Sequence, residues 1–306
     1  MLAWLRLVRL PNLATAAADS LAGFLVVAAP TTLGWPPAAG LLAVLASLGF
    51  YAAGMVLNDV CDAAIDRVER PERPLPSGAI PVGRAAAVGS LLMGLGAASA
   101  CGAAVVAGSP WPALVGAALT GSIWLYDRHA KATAFGPVLM GCCRGLNWLL
   151  GMTAAGGPTA THHWAIPLGM GLYVAGITLF ARDEAGRSRV GTLVAGMLAM
   201  AAGLAAAAGH VWLPWRDGVG LVGTQLPATT WLALWAILAS SILLRALTAV
   251  TDPSPGRVRA AVGNAIMSII TLDAVLVLAT CGERWAVVVL LLLGWFLVGR
   301  RLVPPT

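Results

Sequence analysis

Charge is scarce in this chain of 306 residues, since Asp, Glu, Lys and Arg together make up 10% of it. Soluble domains carry roughly 25% charged residues. Hydrophobic residues make up 59% of the chain, and its mean hydropathy is +0.84. A water-soluble core cannot hide so much apolar surface. The composition therefore excludes a soluble protein and predicts one that crosses a membrane many times.

Two other patterns are absent. Strands of a membrane barrel would appear as alternating segments of about ten residues, whereas the apolar runs here are about 17 to 25 residues long, as in membrane helices. No Cys-x-x-Cys pair occurs among the five cysteines, so we expect small apolar packing residues and not a disulfide framework.

Ten apolar segments predict an all-α, polytopic membrane bundle of nine to ten transmembrane helices around a central cavity. The segments lie at about 12–30, 37–57, 82–107, 111–126, 135–153, 163–181, 190–210, 228–250, 259–281 and 285–300.

Basic residues sort strongly between the two sides of these ten spans. One side receives 16 of the 19 basic residues, and the other receives only Arg216 and Arg284. The positive-inside rule therefore places both termini in the cytoplasm. We expect an integral protein of a bacterial inner membrane whose chemistry is on the cytoplasmic face. Because the basic residues are spread over the loops, the net charge of +6 does not indicate a nucleic acid partner.

Acidic residues are concentrated where the second span ends. On a helix, Asp59, Asp62 and Asp66 share one face, and Asn58 joins them four residues before Asp62. Like charges so close repel one another, and Mg²⁺ is suited to a few carboxylates completed by substrate phosphate oxygens. The alternative is an ordinary acidic helix end that pairs with the arginines following it, which are Arg67, Arg70 and Arg73.

A second acidic cluster follows the sixth span, with Arg182, Asp183 and Glu184. It ends a span of the same direction as the first cluster, four spans later. This arrangement predicts one integral-membrane domain over 1–306, built from two pseudo-repeat halves at about 1–130 and 131–306. Each half would contribute one acidic cluster to a shared cavity.

Other polar residues are candidates for the same cavity. Lys131, the only lysine, lies in a cytoplasmic loop that begins at Tyr126. Arg144 and Asn147 fall inside the fifth span, where an arginine is costly unless it faces an acid, a bound phosphate or water. Weaker candidates are Asn12 and Asp19 in the first span and Asp273 in the ninth. We expect His162, His163 and His210, on the other face, to be structural.

These residues resemble the UbiA superfamily of intramembrane prenyltransferases. The segment from Asn58 to Arg67 is similar to the family's first aspartate-rich motif, and Arg73–Gly78 is similar to the continuation of that motif. The opening helix and the loop of Tyr126 and Lys131 also resemble the family. The resemblance covers about residues 5–195.

The resemblance implies Mg²⁺-dependent transfer of a prenyl group from a prenyl diphosphate to a hydrophobic, aromatic acceptor within the membrane. Asp59, Asp62, Asp66 and Asp183 would be catalytic. The implied Mg²⁺ ligands are Asn58, Asp59, Asp62, Asp66, Asp183 and Glu184. The implied substrate contacts are Asn12, Asn58, Arg67, Arg73, Tyr126, Lys131, Arg144, Asn147 and Arg182. Membrane lipid would surround the protein, and no nucleic acid partner is implied.

The sequence departs from the family pattern in two respects. Where the second motif has another aspartate, this chain has Gly186 and Arg187, and the family core has nine helices. The CCRGLN and ARDEA segments resemble the EboC-like branch of the family.

Three other functions are compatible with a membrane protein of this kind, and the sequence argues against two of them. A membrane transporter would place its acids near the bilayer midplane, and here they lie at helix ends. A protein that binds isoprenoid diphosphates without catalysis would keep the same motif. A CDP-alcohol phosphotransferase would need a DG-x-x-AR element, which is absent after Asp62.

Overall fold

A computed structural model describes residues 2–29, 38–184, 186–218 and 226–303. This part of the chain is helical and contains no strand. The predicted boundary between the first two spans, at residues 30–37, lies outside it. Eleven α-helices are described: α1 Leu2–Leu7, α2 Leu10–Ala28, α3 Ala38–Glu69, α4 Val82–Ala107, α5 Trp111–Leu125, α6 Gly136–Ala154, α7 Ala165–Phe180, α8 Val190–Arg216, α9 Ala228–Thr251, α10 Pro255–Cys281 and α11 Glu283–Leu302.

Helices α2 to α11 coincide with the ten predicted apolar segments, which confirms the all-α membrane bundle. In the described ranges, eight helices are long and apolar enough to cross a membrane, and α5 and α6 are not among them. Helix α5 has only 15 residues, and α6 interrupts its apolar sequence with Arg144 and Asn147. The short helix α1 was not predicted.

Helix α3 is longer than its apolar run predicts. It continues to Glu69, whereas the apolar run ends near residue 57. No glycine or proline interrupts the acidic segment before Pro71, and a proline ends a helix at or before the preceding residue. The acids therefore lie on a helical extension of the span and not in a loop.

The helices form a bundle in which most neighbours along the chain also pack against each other. Helix α2 lies inside this arrangement, packed against α3, α6, α10 and α11. The last two helices, α10 and α11, both pack against α2, so the C-terminal part of the chain contacts its N-terminal part. This topology brings α2, α3, α5, α6, α7 and α10 around one interior space.

Glycine makes the close contact between α2 and α6 possible. A Cβ built on Gly151 of α6 would lie 1.9 Å from the backbone oxygen of Ser20, and one on Gly23 of α2 would lie 2.4 Å from that of Trp148. No side chain fits at such distances, so the backbones touch there. The crossing fixes the distance between the polar residues of α2 and α6 described below.

We expect Gly151→Ala to destabilise the protein by about 1–3 kcal/mol, the usual effect of overpacking, because the new methyl group must push α6 away from α2. The matched control is Gly94→Ala on α4, where a Cβ would meet nothing within 4 Å. Thermal unfolding of both variants in the same detergent measures the difference. Equal midpoints for the two variants would contradict the close packing of α2 and α6.

Candidate active site

A cavity of about 490 Å³ lies between α2, α3, α5, α6, α7 and α10. This volume is within the range of small-molecule sites. Nine residues that the sequence predicts for the site or its cavity belong to the lining. They are Asn12, Asp19, Asn58, Tyr126, Lys131, Arg144, Asn147, Arg182 and Glu184.

The cavity has a polar outer end, an apolar wall and a polar inner end. We call the outer end the mouth, and it is formed by Arg9, Asn58, Lys131, Arg182 and Glu184. The inner end contains Thr15, Asp19, Arg144 and Asn147. Apolar side chains lie between them, among them Phe50, Ile123, Val174, Ile177 and Ile266.

The carboxylates at the end of α3 are held by basic residues beside the cavity. Arg73 donates from Nη1 to Asp66 Oδ2 at 2.8 Å, and its Nη1 lies 3.8 Å from Asp59 Oδ1. Arg9 Nη2 lies 3.6 Å from the same Asp59 oxygen. Asp59, Asp66 and Arg73 are all buried, and none belongs to the cavity lining. Arg73 therefore connects the segment after α3 to the acidic face of that helix.

A second ion pair joins α3 to the segment after α5. Lys131 Nζ donates a hydrogen bond to Asp62 Oδ1. Residues Tyr126–Ala130 form one π-helical turn that directly follows α5 and precedes Lys131. Burial raises the pKa of Tyr126, and it raises that of Asp127 to about 7, with Lys131 opposing the shift and Asp62 adding to it. Burial therefore disfavours the charged form of the Asp127 carboxyl group in this turn.

The inner end is a buried ion pair with an amide. Arg144 donates from Nη1 to Asp19 Oδ2, and Asn147 Nδ2 donates to the same oxygen at 2.9 Å. Asn147 also donates to the backbone oxygen of Ala16 at 2.9 Å. Asp19 is fully buried, and the Arg144 side chain is only 11% exposed. The intramembrane arginine therefore faces the cavity with an acidic partner, as one sequence alternative proposed.

The second acidic cluster is divided between the cavity and the surface. Glu184 lines the mouth, and burial raises its pKa while Arg70 and Arg259 oppose that shift. Asp183 accepts from Arg189 Nε at 3.2 Å and does not belong to the lining. Arg182 lines the mouth and donates to the backbone oxygen of Ala132 at 3.0 Å.

Other residues of that loop and of the first motif lie outside the cavity. Arg67, Gly186 and Arg187 are exposed, and none of them lines the cavity. The structure therefore does not bring Arg67, Asp183 or Arg187 to the mouth.

The predicted Mg²⁺ ligands do not form a complete cation site by themselves. Within the described ranges, no three His, Cys, Asp or Glu side chains are arranged to hold a metal ion. Five buried carboxylate oxygens of the described residues nevertheless lack a hydrogen-bond partner. Two of them, Asp59 Oδ1 and Asp127 Oδ2, belong to the acidic face of α3 and to the π turn. Together with Asn58 and Glu184 at the mouth, they are hard oxygen donors. Such a set fits a Mg²⁺ whose coordination is completed by phosphate oxygens and water.

Three residues of this site were not selected from the sequence. Arg9, Tyr51 and Asp127 all line the cavity. Arg9 has a left-handed backbone (φ 50°) between α1 and α2, and strained non-glycine residues of this kind cluster at functional sites. Asp127 lies between the candidates Tyr126 and Lys131 in the sequence, and this position itself indicates a place near the site. Tyr51 lies within an apolar run and carries no such signal.

The comparison with family models decides the family. The model of the UbiA prenyltransferase family matches residues 18–270. This chain belongs to the UbiA prenyltransferase family. The match covers most of the chain and includes both acidic clusters.

Curated relatives that match are digeranylgeranylglyceryl phosphate synthases. The one from Methanoculleus marisnigri is 40% identical over 90 residues, which are 29% of this chain and 30% of the relative. The one from Saccharolobus solfataricus is 38% identical over 96 residues, which are 31% and 33% of the two chains. The chain thus spans about a third of the length of the relatives it matches. These matches give no support to the EboC-like branch suggested by the sequence.

Solved structures share the UbiA fold over almost the whole chain. A structure concerned with digeranylgeranylglyceryl phosphate synthase has a TM-score of 0.65 at 20% identity, covering 92% of this chain and 98% of its own. The apo UbiA homologue of Aeropyrum pernix has a TM-score of 0.64 at 21% identity, covering 87% and 97%. A UbiA homologue of Archaeoglobus fulgidus, solved with DMAPP and Mg²⁺, has a TM-score of 0.54 at 13% identity, covering 90% and 98%.

Proposed function

We propose that this integral membrane protein transfers a prenyl group from a prenyl diphosphate to a lipid acceptor, with Mg²⁺ as cofactor. The observation that carries the proposal is one cavity with a basic and carboxamide-bearing mouth, an apolar wall and a buried polar inner end. A prenyl diphosphate has matching ends, one highly charged and one purely apolar. The Archaeoglobus homologue, which binds DMAPP and Mg²⁺, supports the same class of donor.

The mouth suits the diphosphate. Arg9, Lys131 and Arg182 place three cationic side chains around one opening, where they would neutralise the phosphate oxygens. Charge grows on the diphosphate as its bond to the prenyl carbon breaks, so fixed cations at that point lower the barrier. Mg²⁺, held by Asn58 and the nearby carboxylates, would add Lewis-acid stabilisation of the same charge.

The wall suits the prenyl chain and protects the reaction. Phe50, Ile123, Ile177 and Ile266 offer only apolar contacts to a bound chain. An allylic cation formed in such a space is shielded from water, which would otherwise capture it. The diphosphate leaves with the electron pair of the broken C–O bond. An acceptor oxygen then supplies the electron pair for the new C–O bond and releases its proton to the diphosphate or to water.

We propose another acceptor class than the aromatic one that the sequence resemblance implies. The matching relatives are named for a prenylated glyceryl phosphate, so we propose an acceptor of the glyceryl phosphate type. An aromatic acceptor is the competing outcome of the experiment below.

We also propose the orientation and the internal organisation that the sequence suggests. The mouth would face the cytoplasm, with both termini on that side, as the distribution of basic residues favours. One domain over 1–306 would contain the halves at about 1–130 and 131–306. The two acidic clusters support this division, since Asn58 of one and Glu184 of the other line the same mouth.

Product analysis tests the function. Purified protein in lipid nanodiscs is incubated with Mg²⁺, prenyl diphosphates of several chain lengths, and either a prenylated glyceryl phosphate or a hydroxybenzoate. Mass spectrometry of the lipid extract should show a product that gains one prenyl unit on the glyceryl phosphate and disappears with EDTA. A product only on the hydroxybenzoate would restore the aromatic acceptor. No prenylated product with any donor would contradict the transferase and favour a protein that only binds isoprenoid diphosphates.

A further inference from the structure

Asp127 is a cavity carboxylate to which neither acidic motif assigns a part. It lies in the π-helical turn Tyr126–Ala130, where the backbone N–H of Lys131 donates to the oxygen of Tyr126 at 3.1 Å. On an α-helix, residues five apart would point about 140° away from each other. The bond from residue i to i+5 in a π turn instead aligns them. The turn thus brings Tyr126 and Lys131 together, and Asp127 lines the cavity beside them.

The Asp127 carboxylate is buried and lacks a full set of partners. The residue is 6% exposed, and its Oδ2 atom has no hydrogen-bond partner. Lys131, which directly follows this turn, hydrogen-bonds Asp62 instead. A buried carboxylate oxygen without a partner is costly, and π turns occur often at functional sites. Both features indicate that a ligand completes this position.

The expected ligand follows from what shares the mouth. Under the proposed function, a diphosphate lies between Arg9, Lys131 and Arg182, close to Asp127. A carboxylate next to a diphosphate is repelled unless a cation lies between them. Mg²⁺ is suited to this bridging position, because it binds one or two carboxylates together with phosphate oxygens.

The second acidic cluster lacks one aspartate of the family motif, so a carboxylate from another segment can take its place at the metal. Its loop has Gly186 and Arg187 where another aspartate would continue the motif, and both are exposed. Its Asp183 pairs with Arg189 outside the cavity lining. Of its two acidic residues, Glu184 lines the mouth and Asp183 does not.

We propose that Asp127 is a ligand of the Mg²⁺ that accompanies the diphosphate and replaces the carboxylate missing from the second acidic cluster. The proposal rests on the proposed function, because it needs a diphosphate at the mouth. It assigns a metal-binding part to a residue outside both acidic clusters.

Metal binding measured without turnover tests this assignment. The full chain in nanodiscs is titrated with Mn²⁺ in the presence of inorganic pyrophosphate, and free Mn²⁺ is followed by electron paramagnetic resonance. Asp127→Asn should weaken Mn²⁺ binding about tenfold or more, and Asp127→Glu should restore most of it. The matched control is Asp252→Asn, which removes an exposed aspartate paired with Arg257 away from the cavity and should leave Mn²⁺ affinity unchanged.

Each outcome bears on a different claim. Wild-type affinity in a folded Asp127→Asn variant would overturn the assignment of Asp127 and leave the proposed function intact. Absence of pyrophosphate-dependent Mn²⁺ binding in the wild-type protein would contradict the metal dependence of the proposed function itself. Thermal unfolding and gel filtration establish that each variant is folded, and Asp127→Ser serves in place of Asp127→Asn if the latter does not fold.

Discussion

Asp62→Ala lowers the rate of Mg²⁺-dependent diphosphate release from a prenyl diphosphate by at least about 100-fold, the effect expected when a group that stabilises transition-state charge is lost. The substitution has two consequences in the structure. It removes a carboxylate from the acidic face of α3, and it leaves Lys131 without its bonded partner. The Lys131 ammonium would then no longer be fixed at the mouth. Released diphosphate is measured as inorganic phosphate after pyrophosphatase treatment.

Two variants separate the causes of this loss. Asp62→Asn keeps a hydrogen-bond acceptor for Lys131 but removes the charge, so a severe defect in this variant assigns the effect to charge. Asp252→Ala is the matched control, because Asp252 is half-exposed and pairs with Arg257. Full turnover in folded Asp62→Ala protein would rule out a catalytic part for the first acidic cluster.

Arg144→Ala destabilises the protein by about 3–5 kcal/mol, because it leaves a buried carboxylate without its charged partner. Asp19 is fully buried, and Asn147 alone would remain to donate to its Oδ2 atom. Unfolding of the purified variant in detergent measures the loss. The matched control, Arg257→Ala, breaks the exposed pair with Asp252 and should cost no more than about 1 kcal/mol.

A paired substitution identifies the origin of that destabilisation. Arg144→Met combined with Asp19→Leu removes both charges, so the protein should be more stable than the Arg144→Ala variant. If the double variant is as unstable as Arg144→Ala, the lost stability comes from packing and not from the stranded Asp19 carboxylate.

The sequence predicts the helices well because lipid imposes a simple rule on them. A membrane span needs about 20 apolar residues, and the ten runs of this chain end where α2 to α11 end within a few residues, with two exceptions. Helix α3 continues about 12 residues past its run to Glu69, and α8 continues past residue 210 to Arg216. Hydropathy cannot show such extensions, since the added turns lie where polar residues are tolerated.

The site was predicted in part, and its gaps have physical causes. The partners Asp19 and Arg144 are 125 residues apart in the chain, and only the packing of α2 on α6 brings them together. The alignment of Tyr126 with Lys131 depends on a single π turn, which no periodicity in the sequence indicates. Arg73 pairs with Asp66 because the segment after α3 folds back onto that helix. The sequence cannot predict this pairing, since an arginine close to an acidic cluster could equally well bind a phosphate group.

The most direct measurement is a crystal structure of the protein with Mn²⁺ and a non-reactive prenyl S-thiolodiphosphate, in which anomalous scattering locates the metal. We predict the diphosphate at the mouth between Arg9, Lys131 and Arg182, the prenyl chain along the apolar wall, and Mn²⁺ between the diphosphate and the carboxylates near Asn58. A diphosphate bound outside the cavity, or one bound at the mouth without Mn²⁺, would contradict the proposed metal-dependent site.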